Sequence, residues 1–501
     1  MPRHLDVRSG VYLDSVTLMQ VSRDAAAVDG VSSALVAMAT ELNLELLAGM
    51  GFAAPSGAAP TDLLIAIEAT DDDALATARA HIESALTTRV AAEPAGFGDA
   101  PPPRTTASAL QRSDADIALV STPGRYAFVE AMDALEAGCS VMVFSDNVPL
   151  EQEVRLKEEA ARRGLLVMGP DCGTAMVSGV GLGFANVVRP GPVGIVAASG
   201  TGAQQLMCLL DGSGVGVRNC LGVGSRDMSE MVGGRSTLTA MQLLAADEAT
   251  DVIVVIGKPP GPGVAEAVAA RGGELGKPVI VHLLGRGDAD LTSTAEAAVV
   301  AAGRSWEEPR WWPAPEERNG RYPYIRGLFS GGTLCEEAML IASPAAGPVH
   351  SNIPLRPEWG HIAERRVGKE VRRSGHIMID FGDDQFTQAR PHPMIDSTLR
   401  VERMAEEARD PDCGVLLLDV VLGHGAHPDP AADLVPAIKD AHATAAADGR
   451  ELAVVIALIG TAGDPQGLER QAVALRDAGA SVHLSNAHAA RKAVELAEEA
   501  R

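Results

Sequence analysis

The sequence predicts an α/β protein: several doubly wound parallel-sheet domains of Rossmann or flavodoxin-like kind, with a small α+β domain at the N-terminus. Two observations carry this expectation. After residue 110, short β-branched runs alternate with helical stretches, the pattern of parallel strands joined by helical crossovers. At ~150 residues per domain, a chain of 501 residues also holds about three compact units besides linkers.

The elements follow in order. Residues 1–95 contain "SVTLMQVSRD" (15–24), a predicted helix through "SSALVAMATELNLELLAG" (32–49) and "TDLLIAIEATDDDALATARAHIESAL" (61–86). That order fits a ferredoxin-like α+β domain, and "AAEPAGFGDAPPPRTTAS" (91–108) reads as a Pro/Gly-rich linker. Residues 108–188 form a second unit, with strands predicted at 115–123, 139–146 and 164–170 and a helix at 125–138. The prolines of "VVRPGPVG" mark a boundary, and residues 189–303 form a third unit with strands at 193–199, 217–224, 250–257 and 277–285. Residues 304–324 hold three of the four tryptophans and four prolines, which suits a linker with aromatic anchors. The last unit, 324–501, has strands at 324–330, 376–383, 413–423, 451–460 and 481–486, with a Pro- and Arg-rich excursion at 344–375.

Charge excludes some functions. With 42 basic and 66 acidic residues the formal charge is −24. A field of that sign repels nucleic acid and anionic membrane, so an anionic ligand needs a local site. No apolar run reaches ~18 residues and the start lacks a signal-peptide pattern, which points to a cytoplasmic protein. Six scattered cysteines without a C-x-x-C pair read as reduced, mostly buried thiols, so neither a zinc site nor a disulfide framework is indicated. No metal or cofactor is expected.

One internal echo stands out. "VAASGTGAQQLMCLL" (196–210) and "GLFSGGTLCEEAMLI" (327–341) are both strand, Ser/Gly/Thr turn, helix. The first N–H groups of a helix lack internal partners and carry partial positive charge, so such a turn favours phosphate or carboxylate. Ser199, Gly200, Thr201 and Gly202, with Gly331, Gly332 and Thr333, are therefore the candidate phosphate site. A helix cap with no ligand is the alternative for either turn alone.

Other loops supply candidate partners. "GVGSRDMSEMVGG" (222–234) is not a nucleotide fingerprint, but Arg226 and Arg235 could grip a planar anion, or could form solvated ion pairs. Asp171 in "GPDCGTA" (169–175) could cap a helix or orient a ligand. Lys258 lies just past the end of a strand, within reach of a phosphate or simply in solvent. "DFGDDQFTQARPHPMID" (380–396) gathers Asp383, Gln388, Arg390 and His392 after a strand, a density of polar groups that suggests substrate binding and catalysis. His424 and His427 follow the next strand; without a carboxylate or cysteine beside them in sequence, loop histidines bonded to backbone, or one acting as general acid near neutral pH, suit them better than a metal.

Taken together, "STPGRYAFVEAMDALEAGCSVMVFSDNVP", "GPDCGTA" and "VGIVAASGTGAQQL" resemble the α subunit of succinyl-CoA synthetase, and "RGLFSGGTLCEEAMLIA" resembles the ligase domain of its β subunit. The fused order, with "SRDMSEMVGGR" and "DFGDDQFTQARPHPMID", is similar to the FdrA family over nearly the whole chain. In the synthetases phosphate binds between two helix N-termini, one from each half, which correspond to Ser199–Gly202 and Gly331–Thr333. The synthetase carries a phosphohistidine in a loop that here reads "GRGDADLTSTAEAAVV" (285–300), without histidine. The glycine-rich CoA loop and a preceding ATP-grasp domain are also not found. The resemblance therefore implies phosphate as a co-substrate. It further implies a subunit of an oxamate carbamoyltransferase in allantoin degradation, interconverting oxalurate plus phosphate with oxamate plus carbamoyl phosphate. On that view Arg226, Arg235 and Arg390 bind the substrate carboxylate, His392 or His424 is the acid, and other subunits or a second copy complete the enzyme. An acyl-CoA synthetase, and a non-catalytic phosphate-binding scaffold, are the two rival readings.

Overall fold

A computed structural model describes residues 2–499 except 12, 14, 54, 56, 91–102, 288, 317–323, 361–374, 388 and 389. The chain divides into two compact units, Met1–Arg104 with Thr387–Pro391, and Thr105–Phe386 with His392–Arg501.

In the first unit the strands Arg3–Arg8, Leu63–Ala69 and Val31–Met38 form an antiparallel sheet in that spatial order. Strand side chains alternate faces. Leu63, Ile65 and Ile67 accordingly pack with Leu18 and Val21 of the helix Ser15–Ala26 and with Ala78 and Ile82 of the helix Asp72–Val90. Leu64 and Ala66 face Leu47 and Phe52 on the other side. The helix predicted across 32–49 is corrected. Residues Val31–Met38 are a strand, because pairing with Leu63–Ala69 buries Val36. Only Glu41–Gly49 is helical, started by Thr40, whose side chain accepts from the Asn43 N–H. Most of the predicted linker at 91–108 lies outside the described residues.

Among the described residues the second unit contains three sheets. Ile117–Val120, Ser140–Val143 and Val167–Met168 form a parallel sheet in sequence order. A six-stranded sheet runs Val279–Leu283, Val252–Gly257, Val193–Ala197, Val217–Gly222, then the hairpin Thr174–Val177 and Val180–Gly183. That hairpin pairs antiparallel with Val217–Gly222, so the segment following "GPDCG" continues the second sheet. A seven-stranded sheet is ordered Trp311–Trp312, Ala480–His483, Ala453–Ile459, Cys413–Val421, Tyr324–Phe329, His376–Asp380, Val349–His350. Its strands Cys413–Val421 and Ala453–Ile459 are buried at every position, which is why their sequences are near-continuous aliphatic runs.

The helices Gly200–Gly212 and Gly332–Ala346 share one hydrophobic cluster with strands of both large sheets. Every residue from Thr201 to Leu210 is buried. A helix walled on all sides needs no polar face. Polar stitches cross the same boundary: the Asn186 amide donates to the Leu422 carbonyl and to Asp464, and the Asn486 N–H donates to Gln205. Among the described residues, no helix is long and apolar enough to cross a membrane.

Candidate functional site

The two echoing turns meet inside the second unit. Ser199 is extended (φ −160°, ψ 124°) and caps its helix by accepting the Gly202 N–H at 3.0 Å. Gly331 holds the matching position (φ −117°, ψ 116°) before Gly332–Ala346. The Ser199 hydroxyl donates to Thr333 Oγ1 at 2.6 Å, joining the two halves of the echo. The packing is reciprocal. A Cβ on Gly331 would lie 2.6 Å from Thr201 Oγ1, and one on Gly202 would lie 3.0 Å from Thr333 Cγ2. Glycine at both places lets two helix N-termini touch.

Their donors are open. Among the described residues, the backbone N–H groups of Gly200, Thr201, Gly332, Thr333 and Leu334 have no protein acceptor. Two converging helix N-termini add roughly half a positive charge each. Lys258, from the loop after Val252–Gly257, brings its ammonium to 3.9 Å from where a Gly332 Cβ would stand. Five N–H donors, two partial charges and one full charge can hold a tetrahedral oxyanion.

Buried groups fix the second turn. Asp419 accepts from the Ser330 and Gly331 N–H groups and from the Ser330 hydroxyl, at 2.7 to 2.9 Å, and pairs with Arg400 at 2.6 Å. Asp380, last in its strand and 6% exposed, accepts the Gly382 N–H on Oδ1. Its Oδ2 lies 2.6 Å from the Cβ position of Gly332. Burial pushes the Asp380 carboxyl up to about 7, against the lowering effect of the Gly382 N–H and Lys258.

Of the predicted residues, His392 lies close by. Its Nε2 is 2.8 Å from the Cβ position of Gly382. Burial, then the Arg400 charge, pushes its pKa down to about 4, so it is neutral near pH 7. Its Nδ1 accepts the Met394 N–H, which puts its proton on Nε2. Asp171 accepts from the Ser225 hydroxyl at 3.1 Å. Crowding by protein raises it to about 6, with Asp146, Lys258 and Asp384 close enough to act on it. Asp383 raises the pKa of Asp380 through its charge.

Other predicted residues are engaged elsewhere. Arg226 pairs with Glu153 at 2.9 Å and donates to the Val148 carbonyl. Arg235 is committed to Glu158 and to the carbonyls of Met231 and Val232. His424 is exposed, and its main chain bridges to Ala185. His427 pairs with Asp433. Arg390 belongs to the first compact unit, and Gln388 lies outside the described residues.

Two family models match the chain. One, described as the AllF heavy metal-associated domain, covers residues 1–101, and one described as CoA-ligase covers 328–496. Over 495 residues the chain is 40% identical to the uncharacterized protein YahF of Escherichia coli strain K12, with 94% of each chain covered. The chain belongs to the YahF family. This YahF-family chain is also 28% identical over 182 residues to the succinate–CoA ligase (ADP-forming) subunit alpha 2 of Archaeoglobus fulgidus. That match covers 35% of the chain and 61% of the relative. A solved dinucleotide forming acetyl-coenzyme A synthetase 1 of Ca. Korarchaeum cryptofilum, in complex with phosphate and ADP, matches 77% of this chain and 83% of its own at 19% identity, with a TM-score of 0.27.

These matches correct the carbamoyltransferase expectation. The CoA-ligase model and the succinate–CoA ligase relative place the YahF-family chain with CoA-ligase-like proteins instead. Nor do the residues of the first unit fit a heavy metal. Residues 1–101 contain no cysteine, and among the described residues no three His, Cys, Asp or Glu side chains are grouped to hold an ion.

Proposed function

We propose that this chain carries out acyl transfer of the CoA-ligase class at the step that handles phosphate. An acyl phosphate and the thiol of coenzyme A exchange with an acyl thioester and inorganic phosphate. The observation that carries this reading is the pair of touching helix N-termini, with five open N–H donors between them and the Lys258 ammonium beside Gly332. In the forward direction the thiol sulfur attacks the acyl carbon, the carbon–oxygen bond breaks, and phosphate leaves with the bonding pair and takes up the thiol proton. Its growing charge is met by donors already in place, which costs no reorganisation as the reaction proceeds. The stretch 285–300 contains no histidine, so phosphate is handled directly at the clamp. Lys258 supplies a cation that holds no ion pair among the described residues.

Arsenate tests this without a coupling enzyme, because acyl arsenates hydrolyse spontaneously. With a panel of short dicarboxylic acyl-CoA esters, the wild type is expected to consume one or more of them only when arsenate or phosphate is present. The double variant Thr201→Val, Thr333→Val should lose roughly 10²-fold or more of that rate. Phosphate binding by calorimetry without arsenolysis of any ester would reduce the site to a binding module. Absence of both would remove the clamp.

A further inference from the structure

Asp380 has a feature that the clamp alone does not require. Its side chain is more than nine-tenths buried, and Oδ1 is satisfied by the Gly382 N–H. Among the described residues Oδ2 has no hydrogen-bond partner, and it points at Gly332, the first residue of the second clamp helix. The main chain cannot easily give way, because the Asp380 N–H donates to Asn352 and its carbonyl accepts from the same side chain. Lys258, Asp383, Asp419 with its partner Arg400, the Cys335 thiol and the neutral His392 imidazole surround it. Lys258 is the one positive group there that is not already paired with a carboxylate in the described residues. An anion seated on the Gly332 to Leu334 N–H groups would press a second negative charge against it, unless that anion brought a proton.

We propose that Asp380 is the specificity-determining residue of the clamp: its open Oδ2 accepts the proton of hydrogen phosphate, so the site takes phosphate and refuses sulfate. This rests on the clamp being an oxyanion site. Near neutral pH hydrogen phosphate carries one P–O–H group and sulfate carries none, while the two match in shape and charge. The Asp380 carboxylate therefore pairs with one and is left facing a bare dianion with the other. Selection of this kind comes from the unfavourable contact with the wrong ligand.

Titration calorimetry with inorganic phosphate and with sulfate, on the full chain at pH 8, tests it. The wild type is expected to prefer phosphate by about 100-fold or more, and Asp380→Asn to cut the preference to about fivefold, mainly by gaining sulfate affinity through the new amide donor. A second measurement needs no variant. Burial holds the Asp380 carboxyl at about 7, so sulfate binding to the wild type should strengthen as pH falls from 8 to 6, when Asp380 gains a proton of its own to donate. Equal affinity of the wild type for both anions overturns the proposal and leaves the clamp standing. So does selectivity that survives in Asp380→Asn, or sulfate binding indifferent to pH. If neither anion binds, the clamp reading fails and this proposal falls with it.

Discussion

Lys258 and Glu337 show how single side chains divide the work. Lys258 stands half-buried at the mouth of the second clamp helix. Removing the charge while keeping the stem, Lys258→Met, is expected to weaken phosphate binding by about tenfold to a hundredfold. Urea unfolding of the same variant should change little, since the ammonium holds no structural ion pair among the described residues. Glu337 lies one turn further along the same helix. It accepts the Leu291 N–H at 2.7 Å and the Asn486 amide at 2.7 Å, and burial raises it to about 7. Between its unfolded value near 4.5 and about 7 the folded chain keeps a proton that the unfolded chain has lost. Stability therefore falls as pH rises through that window, by up to about 3 kcal/mol at its upper end. The difference in unfolding free energy between Glu337→Gln and wild type, followed from pH 5 to pH 8, should grow in favour of the variant. His392, pushed down to about 4, acts with the opposite sign. It withdraws stability as pH falls from about 6.5 towards 4, so the difference between variants isolates Glu337 better than the wild-type profile.

At the scale of elements, the clamp depends on how closely two turns approach. Gly331→Ala keeps an allowed backbone, since φ is −117°, but sets a methyl 2.6 to 2.8 Å from three Thr201 atoms. A loss of about 1–3 kcal/mol in unfolding free energy is expected, with weaker phosphate binding. Adding Thr201→Ala should restore part of the stability, since it removes Oγ1 and Cγ2 but keeps the Cβ at 2.8 Å, and a double-mutant cycle measures that coupling. This contact was legible in outline. Both turns announce themselves as Ser, Gly and Thr between an apolar strand and a helix, and their recurrence pointed to a pair. Lys258 was visible only as a lysine beyond a strand. Asp380 was passed over because "HIMID" reads as an apolar strand; a carboxylate ending such a strand was the available signal. The arginines misled for a physical reason. Arg226 and Arg235 sit on a promising loop, but carboxylates from the helix Leu150–Arg163 already hold them, and no local pattern reveals a partner some 75 residues away. The N-terminal misreading has the same origin. "SSALVAM" has no strong period of its own, and its pairing with Leu63–Ala69 decides that it is a strand.

Over the whole second unit, the two large sheets share one hydrophobic cluster, and each also contributes to a further cluster of its own. Trp306 packs against that cluster and Trp312 lies in the neighbouring one. Tryptophan fluorescence and far-ultraviolet circular dichroism should therefore report coincident transitions for this unit in a denaturant titration. A fluorescence transition well separated from the main loss of helix would show that the halves unfold independently. The chain carries a net charge of −24, so anion capture at the proposed clamp would rely on short-range donors and not on the long-range field. The Thr201 and Gly331 contact also reaches beyond one molecule. With less than 3 Å between the Thr201 side chain and the space a Cβ on residue 331 would fill, the two positions have one shared volume to divide. Across aligned relatives they should drift together, so that a side chain gained at 331 is matched by one shortened at 201, leaving a covariation signal between positions 130 apart in sequence.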